Sequence, residues 1–118
     1  MASVAADMTV TRADLERDFV EVLESGTRLV GFYRLQRREA CAWLEDLFVE
    51  PDVIATGQGR RLFSRACHVA RDWGCTRLEL HSDPNAEGFY LRLGAERIGT
   101  VDSRLVPGRT LPWLRFEL

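Results

Sequence analysis

The sequence predicts an α/β fold of the mixed-sheet (α+β) kind: an antiparallel meander followed by β-α-β-α-β-β. Three observations carry this. Apolar residues alternate through the first half, the period switches to helical across Gly59 to Trp73, and alternation returns on both sides of a second, shorter helical segment. At 118 residues and 46% hydrophobic content the chain has material for one core. It is expected to form a single domain over 1–118, with 1–18 a short N-terminal segment and 19–118 the core.

In order along the chain, Thr11 to Asp18 (TRADLERD) opens with an N-cap residue and continues in helix formers, predicting a helix of about two turns. Phe19 to Leu23 alternates apolar and acidic residues, Ser25-Gly26 marks a turn, and Leu29 to Leu35 resumes a strand pattern, which makes a hairpin. After the charged turn Gln36 to Glu39, Ala42 to Glu50 (AWLEDLFVE) reads as a third strand that stops at Pro51. Leu62, Ala66, Val69, Ala70 and Trp73 then form one helical stripe, closed by Gly74. Thr76 to His81 alternates as a strand. Asp83-Pro84-Asn85 offers a cap, Ala86 to Leu93 is a short helix, and Gly94 ends it. Ala95 to Val101 and Thr110 to Leu118 complete the strands, separated by a Pro107-Gly108 turn and with Pro112 interrupting the last.

Composition narrows the function. A net charge of −2 gives no general attraction to nucleic acid. The apolar runs are far shorter than the ~20 residues that span a bilayer, and Met1 to Met8 lacks a leader's basic and apolar regions, so a soluble cytoplasmic protein without membrane partners is expected. Cys41, Cys67 and Cys75 show neither a disulfide framework nor a metal-ligand spacing; they read as reduced thiols, with no metal. All 16 basic residues are arginine, the side chain suited to bidentate phosphate or carboxylate contacts.

The stretch Thr56-Gly57-Gln58-Gly59-Arg60-Arg61 lies between a strand and a helix. Glycines there let an anion approach free backbone N–H groups, and the helix dipole favours negative charge at that end. Arg60 and Arg61 oppose the dipole unless an anion offsets them. A tight turn with arginines in water is the structural alternative. The pattern fits neither the Walker A loop nor the dinucleotide fingerprint. It resembles the acyl-CoA pyrophosphate loop of the GNAT family (Gcn5-related N-acetyltransferases), Gln/Arg-x-x-Gly-x-Gly/Ala, with Gly57 and Gly59 at the small positions and Ile54 where Gln or Arg is usual. Asn85 to Ala95 (NAEGFYLRLGA) resembles that family's N-x-x-x-x-FY-x-x-x-G-A/F helix, and Leu44-Glu45-Asp46 resembles the fourth strand of members such as spermidine/spermine acetyltransferase.

The resemblance, running from about Thr27 to Leu118, implies an acyl-CoA-dependent N-acyltransferase, with acetyl-CoA or another acyl-CoA as cofactor and a small-molecule or peptide amine as acceptor. By residue it implies Tyr90 as general acid for the departing thiolate and Glu45 as general base, with Asp46 the alternate. Asn85 and the backbone of Phe48 and Val49 would hold the pantetheine arm, and Thr56, Gly57, Gln58, Gly59, Arg60 and Arg61 the phosphates. A non-catalytic acyl-CoA-binding module and a ligand-free interaction domain are the competing readings. Relatives begin with a strand and two helices, longer than Met1 to Asp18 allows. A homodimer that covers the exposed sheet is therefore expected.

Overall fold

The computed structural model describes residues 8–14 and 18–118. Seven strands form one mixed sheet: β1 (Met8–Asp14), β2 (Phe19–Ser25), β3 (Arg28–Arg38), β4 (Cys41–Val49), β5 (Arg77–His81), β6 (Glu96–Asp102) and β7 (Thr110–Glu117). Their order is β1-β2-β3-β4-β5-β7-β6. The helices are α1 (Gln58–Asp72) and α2 (Glu87–Arg92). The predicted alternation from Phe19 onward is observed, and β4 and β5 run parallel, joined through α1.

Two expectations are corrected. In place of the N-terminal helix predicted over Thr11 to Asp18, Met8–Asp14 is a strand paired antiparallel with all of β2, Val10 opposite Leu23; residues 15–17 lie outside the described residues. The alternating, β-branched Met8-Thr9-Val10-Thr11 suits a pleated surface, and pairing with β2 overrides the helix formers that follow. Pro112 does not interrupt β7 either. It lies just beyond the end of β5, whose last residue His81 faces Trp113, and its carbonyl accepts the Ser82 N–H at 2.9 Å. Its missing donor is therefore outside the β5 ladder.

The chain divides into two compact units. The first holds Leu44–Val69 with the described residues up to Gln36; the second holds Arg37–Trp43 and Ala70–Leu118. In the first, Leu23, Gly31 and Tyr33 are buried on the side of α1, and Leu62 of the helix packs at Gly31. Glu21, also buried, accepts both Arg65 donors (3.1 and 2.9 Å) and the Tyr33 hydroxyl. Burial alone would raise this carboxyl's pKa, but the Arg65 and Tyr33 hydrogen bonds outweigh it and hold the pKa below the usual glutamate range. In the second unit, Leu78, Leu80 and Leu114 are buried. Here Glu79 is the buried carboxylate, accepting from Arg77 Nε (2.7 Å), Trp113 Nε1 (2.8 Å) and the Cys41 thiol (3.4 Å). Burial and that carboxylate push the Cys41 thiol up to about 11, so it stays protonated. All three cysteines are buried thiols outside any disulfide.

Candidate functional site

The first unit supplies the anion-receptive end. After β4, Pro51–Thr56 forms a 3-10 turn with its proline in the first position, where no N–H is needed, and Val53 is buried beneath it. The next residue, Gly57, takes left-handed backbone (φ 84°), a conformation costly for any side chain, and beyond its two chain neighbours no described atom lies within 4 Å of where its Cβ would be. The glycine is thus required by the backbone, and the space beside it is open. The Arg61 N–H donates to the Gly57 carbonyl at 3.1 Å, so the helical ladder begins there. The amides of Gln58, Gly59 and Arg60 precede it, as first-turn amides do. No acidic residue stands in that turn.

The side chains around this turn separate into two groups. Arg60 is exposed. Arg61 donates Nη1–H to the Met8 carbonyl at 3.1 Å, and the Thr56 hydroxyl donates to the Val53 carbonyl at 2.6 Å, so both are engaged in holding the turn and its neighbour β1. Gln58 is buried, its Oε1 3.5 Å from Arg61 Nη1.

On β4, Phe48 is exposed, Val49 and Glu45 are half-buried, and the Phe48 ring lies 6.0 Å from that of Phe32. Asp46 forms an ion pair with Arg34 (2.8 Å), which also reaches Asp18 at 3.3 Å. Adjacent strand residues point to opposite faces, so Glu45 is directed away from that pair.

The second unit contains Tyr90, the acid that the resemblance implies. Tyr90 on α2 is buried, and burial pushes its phenol up to about 12, so it holds its proton at neutral pH. Phe89 meets its ring edge-on at 5.0 Å. Asn85 does not cap α2. The helix starts after Ala86 without a side-chain cap, and Asp83 Oδ1 accepts the Asn85 N–H at 2.8 Å in a turn that leaves the Asn85 side chain exposed. Glu87, the first residue of α2, accepts two hydrogen bonds from Arg97 of β6 (2.7 and 2.6 Å), fixing the short helix to the sheet. Sequence reasoning missed this tie and the Arg34 pairs. Partners ten or more residues apart leave no local signal.

The chain matches the model of the Acetyltransferase (GNAT) family over residues 5–95. It belongs to that family. Among solved structures it is similar to the Bacillus subtilis acetyltransferase in complex with CoA, at 13% identity and TM-score 0.78, covering 94% of this chain and 99% of that one. A Bacillus anthracis protein described as a streptothricin acetyltransferase, in complex with acetyl coenzyme A, shares 17% identity at TM-score 0.78 over 89% of this chain and 65% of that one. The IAA acetyltransferase from Bacillus cereus shares 19% identity at TM-score 0.74, covering 86% and 79%. At these identities the likeness is one of fold. No curated protein matches the chain. Among the described residues no helix is long and apolar enough to cross a membrane, and no group of three or more metal-ligating side chains occurs.

Proposed function

We propose that this chain is an acyl-CoA-dependent N-acyltransferase that passes an acyl group, acetyl in the first instance, directly to a primary amine. The observation that carries the reading is the turn at Gly57: left-handed glycine backbone opening onto the first turn of α1, with open space beside it, arginines present and no carboxylate. Those residues fit a diphosphate, which is anionic, bulky and satisfied by backbone N–H groups.

When bound, acyl-CoA supplies an activated thioester. The amides of Gln58, Gly59 and Arg60 take the pyrophosphate, and Arg60 adds charge. Thr56 and Arg61 support the loop. The Phe48 and Val49 backbone and the Asn85 side chain hold the pantetheine arm, and an N–H of that strand end polarises the thioester carbonyl. Glu45 receives the proton lost by the acceptor ammonium, directly or through water. The commitment of Asp46 to Arg34 favours Glu45 in this role. Tyr90, kept protonated by burial, gives its proton to the departing sulfur. We place the protein in the cytoplasm, consistent with its three reduced thiols, and propose a homodimer; a monomeric mass in sedimentation at micromolar concentration would exclude the dimer.

Calorimetric titration with acetyl-CoA, run beside the thermal midpoint, tests the reading. Binding in the micromolar range with a midpoint that climbs with ligand is expected, and Gly57→Asp should abolish both. Absence of heat and an unmoved midpoint at millimolar acetyl-CoA would overturn it.

A further inference from the structure

One face of the second unit carries three aromatic rings that the reaction does not use. Trp43 of β4, His81 at the end of β5 and Trp113 of β7 meet pairwise. Ring centroids are 5.2 Å apart for Trp43 and His81, 5.9 Å for His81 and Trp113, and 6.5 Å for the two indoles. The indole planes lie within 25° of parallel, and the imidazole stands at 75° and 88° to them. Strand register explains the meeting. Trp113 lies opposite His81, and Trp43 lies opposite Glu79, two residues before it, so all share one face. Leu78 and Leu80 take the other face and are buried, while both indoles are half-buried and the imidazole is exposed.

One indole of the wall is anchored, and a cation already rests on the other. Glu79, buried behind the rings, fixes the Trp113 indole through its Nε1–H at 2.8 Å. The Arg38 guanidinium carbon lies 5.0 Å from the centre of the Trp43 ring, within cation–π range. A partly exposed aromatic surface is the chemistry that takes organic cations, and its attraction here comes from the ring faces, because Arg77 already pairs with Glu79 at 2.7 Å. At His81 the chain leaves the wall, and the next four residues lead to Asn85, so the wall and the Asn85 to Tyr90 segment belong to one run of chain.

We propose that this wall is the docking surface of the acceptor, and that Arg38 is a resident cation which the acceptor displaces. The proposal rests on the acyltransferase reading. An ammonium held against the rings keeps its proton and cannot be the nucleophile. The acceptor therefore carries two centres: one cation held by Trp43, His81 and Trp113, and a separate amine that is acylated.

The test follows the indole N–H signals of Trp43, Trp73 and Trp113 in nitrogen-15 spectra of the full chain, titrated with tetramethylammonium chloride against equal sodium chloride. Saturable shifts confined to Trp43 and Trp113 are expected. Arg38→Gln, an exposed change, should tighten the apparent Kd about three- to five-fold by removing the competitor. Shifts that sodium chloride reproduces, or weaker binding in Arg38→Gln, overturn the cation site. In turnover assays with a panel of diamines, tetramethylammonium should compete with the amine and not with acetyl-CoA; any other pattern overturns the acceptor role. If acetyl-CoA gives no heat while the indole shifts persist, the acyltransferase reading has failed and takes the acceptor role with it, leaving a cation site alone.

Discussion

Each unit is organised around a buried glutamate on a strand, but the two are tied down differently. Glu21 of the first unit is held by Arg65 from helix α1 and by a fully buried Tyr33 hydroxyl. All the partners of Glu79 come from strands, and one face of that assembly stays partly open to water. The first arrangement fixes a helix, and with it the turn at Gly57 from which the helix starts. The second fixes a sheet face. A carboxylate in the same setting therefore serves, in one unit, to place an anion-receptive helix end and, in the other, to hold aromatic rings in position.

The comparison is most sharply tested by separating binding from chemistry. Tyr90→Phe, in the second unit, should lower kcat about 10²-fold and leave the acetyl-CoA Kd nearly unchanged, whereas Gly57→Asp, in the first, should remove binding itself. Equal loss of affinity in both variants would erase the division of labour.

Stability comes next. Glu21→Ala leaves the buried Tyr33 hydroxyl without an acceptor and should cost about 3 kcal/mol. Glu79→Ala exposes its partners to a half-open face and should cost about 1–2 kcal/mol. Thermal unfolding at roughly 4 °C per kcal/mol resolves the two, and a larger loss in Glu79→Ala would reverse the ranking drawn here.

A smaller effect is expected with pH. Both glutamates have folded-state pKa values below their ordinary value. Their stabilisation is thus fully present above the ordinary glutamate pKa and is lost as pH falls through the lower folded values. Urea midpoints measured from pH 7 to pH 3 should show this acid limb flattened in Glu21→Gln. The least effect is expected from Arg97→Gln, whose exposed pair with Glu87 is screened by solvent. Its Tm should move less than that of either glutamate variant, while kcat falls if the tie to α2 positions Tyr90.

Much of this was legible in the sequence, and the reasons differ by region. From Phe19 onward the change between two-residue and helical periods delivers the elements in order. The motif around Asn85 and Tyr90 delivers the family. The N-terminal strand was obscured because Ala13-Asp14-Leu15-Glu16-Arg17 favours helix locally, while its pairing partner lies in β2. The buried glutamates were hidden for a related reason. Glu21 and Glu79 sit in alternating strands at positions that sequence assigns to a solvated face, and their partners Arg65 and Trp113 are 44 and 34 residues away. The aromatic wall likewise needs the β4, β5 and β7 registers before its rings can meet.

Gly31 shows how little freedom the first unit retains. A methyl group on its Cα would come within 2.7 Å of the Phe48 carbonyl oxygen and 3.2 Å of Leu62 Cδ1. Backbone cannot retreat as a side chain tip can, so even alanine would have to push the end of β4 aside. In a saturation library this position should therefore accept glycine alone, and every evolutionary path that enlarges it should be closed unless β4 moves first.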